Sequence, residues 1–200
     1  MELGQKILTA ADKLFNRFGV RSVSMDDVSK ELNISKKTLY KCFRDKNELI
    51  AITIKSHMER MDEAILNITS VENHPIKQLF QITQFAISQT NSMNPNMMFD
   101  LKKYHHEIYN ELIKHREEHI IVRILNNIKL GREKGLYRLD FDENIIAHSF
   151  SILTYTVFDQ DEFKLTNFDP NIALTEVMKY HIRGIASFEG LKELESLNWN

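Results

Sequence analysis

One cysteine, three prolines, six glycines and one tryptophan are all that 200 residues contain of those types. Each scarcity excludes something. The lone Cys42 cannot form an internal disulfide, so the fold must rest on its core. Few prolines and glycines argue against a loop-rich architecture and for long regular elements. No apolar run approaches the roughly 20 residues that span a bilayer. The N-terminus, MELGQKILTAADKLF, is amphipathic and carries acids, so it does not read as a cleaved signal. A cytoplasmic protein without membrane contact is the expectation. Internal repeats, low-complexity tracts, alternating strand patterns and Gly-rich phosphate cradles are also missing.

What is present is ordinary in amount and uneven in placement. Hydrophobic residues make up 42% and charged residues 27%, as in soluble globular domains. The length allows one or two domains with a real core. The net charge of −2 hides an asymmetry: residues 1–50 carry +3 and residues 51–200 carry −5. A basic end on an acidic body would draw phosphate to that end.

Nearly every segment has helical period. Leu3, Ile7, Leu8, Ala11, Leu14, Phe15 and Phe18 form one stripe, and Gly19 supplies a stop. Ser24 to Asp27 reads as a capping box opening a short second helix, with Val28 and Leu32 facing inward. Asn33 tolerates the left-handed backbone of a tight turn. Ser35 can cap a third helix whose Leu39 and Phe43 are core anchors, and Asp45 to Glu48 can open a long fourth. Further helices are expected over about 75–92, 96–104, 106–134, 143–158 and 170–189. The polar loop 159–169 separates the last two, and the tail frays. The fold class is therefore all-α, with about nine helices.

Two short helices joined by a turn of about three residues can form a helix-turn-helix, whose second helix enters the major groove. Lys36, Lys37, Thr38, Tyr40 and Lys41 supply donors around the inward-facing Leu39 and Phe43. Residues 4–49 resemble the DNA-binding region of the TetR family. The resemblance is carried by Ser24, Met25 and Val28, then Ile34-Ser35, then Leu39-Tyr40-Lys41-Cys42-Phe43, Lys46 and Leu49. It departs at Leu32-Asn33, where a small Ala-Gly pair is usual, at Lys37, and at Cys42, which reads as a small hydrophobe beneath the recognition helix.

The resemblance implies a DNA-binding domain over 1–47 and a regulatory and dimerisation domain over 48–200. It implies a homodimeric, ligand-responsive repressor of a pseudo-palindromic double-stranded operator, without enzymatic activity or cofactor. The DNA-contacting set would be Ser24, Met25, Ser35, Lys36, Lys37, Thr38, Tyr40, Lys41 and Lys46. Tyr40 and Lys46 would meet phosphate. Phe80, Phe85, Met97, Met98, Tyr104, His105, Tyr109, His115 and Phe150 would line a pocket for an apolar or amphipathic small molecule. Met93 and the Asn94-Pro95 break lie beside them. Phe150, Val157, Val177, His181, Gly184, Ile185 and Phe188 would build the dimer interface, with Gly184 permitting close helix approach.

His115-x-x-x-His119 could place two imidazoles on one helical face. No His-Glu-x-x-His motif accompanies them, and they continue a stripe of Ile108, Leu112, Val122 and Leu125. Core or cavity-lining histidines are the preferred reading, and no metal is assigned. The rival functions are an enzyme built on the histidine cluster and a helical adaptor whose helix-turn-helix meets protein.

Overall fold

A computed structural model describes residues 2–90, 94, 96–158 and 169–199. Met93, Pro95 and most of the polar loop, residues 159–168, lie outside the described residues. Ten helices are present among those described: α1 (Leu3–Phe18), α2 (Met25–Glu31), α3 (Lys36–Cys42), α4 (Lys46–Val71), α5 (Pro75–Thr90), α6 (Asn96–Tyr104), α7 (His106–Glu133), α8 (Glu143–Phe158), α9 (Pro170–Ile185) and α10 (Phe188–Ser196). The only pairing outside helices in this set is an isolated antiparallel bridge between Tyr137 and Ala186. The all-α expectation holds.

The chain divides into two compact units, residues 1–64 with 92–113, and residues 65–91 with 114–200. In the first, Ile7, Ala11 and Phe15 of α1 share a core with Val28 of α2, Leu39 of α3 and Ile50 of α4. Met97 and Leu101 of α6 and Tyr109 of α7 complete it. A cluster of this composition holds the short helices, which have too few residues to be stable alone. A half-buried ionic group ties α1 to α4: the Asp12 carboxylate accepts from Arg60 and lies 3.4 Å from His57 Nδ1.

The second unit packs α9 on α5 and α8. Ile76, Leu79, Ile124, Ile128, Tyr137, Phe150, Met178, Ile182 and Ile185 are among its core groups. A buried polar network runs through it. Asn127 Nδ2 donates to the Pro75 carbonyl at 2.9 Å and to Gln78 Oε1 at 3.1 Å, while Tyr137 Oη donates to Asn127 Oδ1 at 2.9 Å. Gln78 Nε2 in turn serves the Thr69 and Glu72 carbonyls at the end of α4. Each buried group thereby has a partner, which is what makes such a network tolerable.

Two details differ from the sequence expectation. The last long helix does not reach 189: it stops at Ile185, and a tenth helix replaces the frayed tail. Arg138 N–H donates to the Ile185 carbonyl and Ser187 N–H to the Leu136 carbonyl, which holds Ala186 extended. Ser187 then caps α10 by accepting from Gly190 N–H at 3.2 Å. At Gly131, near the end of α7, the Tyr137 ring lies against the helix. A Cβ there would fall 1.9 Å from Tyr137 Cδ2.

Candidate nucleic-acid interface

The geometry begins with two capped helices and the turn between them. Asp27 N–H donates to Ser24 Oγ at 3.3 Å and Ser24 N–H donates back to the Asp27 carboxylate at 2.8 Å, closing the capping box. The Ser24 hydroxyl, which also donates to that carboxylate, and the Ser24 N–H hold the Asp27 carboxyl below its ordinary range. Asn33 takes φ of 53°, the left-handed turn expected of it. Ser35 Oγ accepts Thr38 N–H at 3.0 Å and caps α3. Leu39 is fully buried, and Phe43, the residue after α3, turns inward in extended conformation. With those two anchors seated, the opposite face of α3 must point to solvent.

That face carries Lys37, Tyr40 and Lys41, all exposed. Lys36 is exposed too but pairs with the Asp26 carboxylate at 2.5 Å, which raises its ammonium above the usual lysine range. The Ser35 and Thr38 hydroxyls bond each other at 2.8 Å. Ser24 is exposed, with its hydroxyl 2.5 Å from the Asp27 carboxylate. Met25 is 7% exposed and belongs to the core of this unit. The reading of Cys42 as a buried hydrophobe is corrected, because Phe43 turns into the core beneath the helix and the thiol is exposed.

Lys46 opens α4 beside Asp45, which caps it by accepting Glu48 N–H at 2.8 Å. The Lys46 ammonium is half-buried and donates to the Arg21 carbonyl at 3.2 Å. Burial lowers its pKa, and Asp100 and Asp27 act against that shift. This neighbourhood contains groups that the sequence reading missed. The Asp100 carboxylate of α6 accepts Arg21 N–H at 3.0 Å, and Tyr104 Oη accepts from the Arg21 guanidinium at 3.0 Å. Asn94 Nδ2 donates to the Arg17 carbonyl at the end of α1. The available signal was Asp100 itself, an acid set three residues after Met97 and one before Leu101, on the inward face of α6.

The expected pocket residues fall into both units. In the first, Met97 and Tyr109 are core residues with Met98 packed against them. Tyr104 is exposed and engaged by Arg21, and His105 is half-buried, its pKa lowered by desolvation and by Lys46. In the second, Phe80 meets Trp199 edge-on at 4.9 Å, and Phe85 is half-buried. Phe150 lies 4.2 Å from the His181 ring, and His115 stacks on His119. Val122, expected on the same inner stripe as the histidine pair, is exposed; α7 turns Ile124 and Ile128 inward instead.

The expected interface residues also divide. Phe150, Val157, His181 and Ile185 are buried within the chain, Val177 is half-buried, and Gly184 and Phe188 are exposed. Nothing in the described chain lies within 4 Å of a Cβ built on Gly184, so no helix of this chain approaches there. The large apolar groups left in water on α8 and α9 are others: Ile145, Ile152, Leu153, Ile172 and Tyr180. Large exposed apolar groups of that kind are characteristic of interaction surfaces.

Comparison with known proteins decides what the first unit is. Residues 7–51 match the family model for bacterial regulatory proteins of the tetR family. The chain carries a helix-turn-helix domain of the tetR family over those residues. It is 24% identical over 192 residues to the helix-turn-helix-type transcriptional regulator YvaF of Bacillus subtilis, covering 94% of this chain and 97% of that one. A transcriptional regulator from Cytophaga hutchinsonii superposes with a TM-score of 0.76 at 16% identity, over 92% of this chain and 98% of the other. Thermus thermophilus FadR, a TetR-family transcriptional repressor solved in complex with lauroyl-CoA, gives 0.60 at 15% identity, over 90% and 94%. These two likenesses establish the TetR-like helical fold over 92% and 90% of the chain. This family consists of transcriptional regulators, and no described helix is long and apolar enough to cross a membrane.

Proposed function

We propose that this TetR-family regulator is a ligand-responsive repressor, cytoplasmic and non-enzymatic, that acts as a homodimer on a pseudo-palindromic operator. Residues 1–47 read DNA, and residues 48–200 dimerise and sense the effector. The observation that carries this reading is the exposed face of α3, where Lys37, Tyr40 and Lys41 stand opposite the buried Leu39. A helix so anchored presents donors at fixed angles to base edges and phosphates. Tyr40 and Lys46 position the protein on the backbone, whereas Lys37 and Thr38 read sequence. For Lys46 this requires its ammonium to share or leave the Arg21 carbonyl.

The uncovered isoleucines of α8 and α9 support dimerisation, since a second copy would remove them from water. A two-fold dimer presents two recognition helices one helical turn of DNA apart, hence the palindrome. The Met- and aromatic-rich residues around α6 favour an apolar or amphipathic effector, and a repressor of similar fold binds lauroyl-CoA. Effector binding would shift the population toward a spacing that no longer fits successive grooves. In the first unit, the Asp100 and Tyr104 contacts to Arg21 give α6 a direct hold on the turn between α1 and α2.

The test is operator binding by two variants at several salt concentrations. Tyr40→Phe and Lys46→Ala should weaken all sequences alike, and Lys46→Ala should flatten log affinity against log salt by about one unit. Wild-type affinity and slope in both variants would overturn the assignment.

A further inference from the structure

We propose that His115 and His119 form a binding site for a divalent transition-metal ion of the zinc, nickel or copper class. The two residues sit one turn apart on α7, in the part of that helix belonging to the second unit. Their rings stack with centroids 4.0 Å apart and 27° between planes. Their donor nitrogens lie within 4.8 Å of each other.

The helix supplies the preorganisation. Residues four apart share a face with Cβ atoms roughly 5–6 Å apart, so folding of α7 brings both imidazoles together before any ion arrives. Zinc binds imidazole nitrogen at about 2.0–2.1 Å, which sets two tetrahedral donors about 3.3 Å apart. Small rotations about the side-chain bonds close that distance from the present geometry. Imidazole nitrogen selects zinc, copper and nickel over magnesium and calcium, which prefer oxygen. Two protein ligands leave the remaining positions to water or to an oxygen of a small molecule.

Burial separates this pair from an ordinary core histidine. His181 is 7% exposed, stands alone among apolar groups and packs on Phe150. His115 and His119 are only half-buried and face one another. An ion can reach them. Once bound, it would clip successive turns of α7 and favour the helical state. The site goes beyond the regulator reading and does not depend on it, since metal binding is measured without DNA.

Cobalt(II) is the probe. Titration of the full chain should give one equivalent of bound ion with absorption bands of a nitrogen-liganded site, displaced by zinc(II). His115→Gln and His119→Gln together should weaken binding at least about tenfold, with far-ultraviolet circular dichroism unchanged. Should the double variant lose helicity, the wild-type protein still answers. Cobalt(II) should shift the imidazole resonances of His115 and His119 first among the eight histidines. Absence of saturable binding, equal affinity in the folded double variant, or first shifts at other histidines would overturn the proposal.

Discussion

Helices α3 and α8 obey the same rule on the inside and opposite rules on the outside. Each turns apolar residues to a core at spacings of three or four: Leu39 of α3 with Phe43 just beyond its end, and Ala147 with Phe150 in α8. Outside, α3 carries Lys37, Tyr40 and Lys41, whereas α8 carries Ile145 at 65% and Ile152 at 63% exposure. The inner face is fixed by folding, because a close-packed core constrains the shape and volume of what it accepts. The outer face is free to be spent on recognition. Lysines in water are at ease, and on DNA they displace the counterions of the phosphates. Isoleucines in water are not, because burying them against an apolar surface is favourable.

The sharpest way to break this comparison is to charge each side of the α8–α9 layer in turn. Ile185 is 1% exposed in the core of the second unit. Ile185→Arg buries an unpaired guanidinium and should cost more than about 4 kcal/mol, seen as loss of helicity and cooperative melting. Ile152→Arg on the wet side should change the stability of the chain by no more than about 0.5 kcal/mol. It should nevertheless convert a dimer to a monomer in sedimentation. A folded Ile152→Arg variant that stays dimeric would place the partner surface elsewhere.

The same logic applied to α3 predicts a smaller loss. Leu39→Ala removes a fully buried side chain and should destabilise by about 2–5 kcal/mol in denaturant titration. Operator binding should fall with it, although no donor has been touched.

Acid should act on the second unit through His181. Burial lowers its imidazole pKa to about 4, against an ordinary value of 6.5. Between those values the unfolded chain holds the proton and the folded chain does not. The stability contributed by neutral His181 is therefore complete above pH 6.5 and is lost as pH falls towards 4. Its limit is on the order of 3 kcal/mol. His181→Leu should flatten the loss of stability between pH 6.5 and 4, measured by thermal unfolding at stepped pH.

The smallest effect on stability should come from Lys37→Ala, within about 0.5 kcal/mol of wild type because the side chain is exposed. Its effect belongs to specificity, so competition between operator variants should show a changed base preference at one position of each half-site.

How much of this was legible in the chain follows the range of the interactions. Local signals were readable: the capping boxes at Ser24 and Asp45, the left-handed Asn33, and the span of α8 from Glu143 to Phe158. The break at Ala186 was not, since no proline or glycine stands there. It is made by Leu136 and Arg138 pairing with a segment about fifty positions away. The tie of Asp100 to Arg21 spans 79 positions and left only an acid within an apolar stripe as its trace. In α9 both faces are apolar, so periodicity alone could not separate Ile185, which meets the core, from Ile172, which meets water. The candidate DNA set was readable because donors and anchors alternate on one short helix. Met25 and Cys42 sit at its margins, where a single residue of rotation or one inward-turning Phe43 decides exposure.

The central claim is that the outer face of α3 reads a specific duplex sequence as one half of a two-fold pair. Incubating the purified chain with sheared genomic DNA and sequencing the retained fragments tests it directly. The account predicts a single enriched motif with two inverted half-sites about 10 base pairs apart, or a multiple of that spacing. Fragments retained without any shared inverted motif would contradict it.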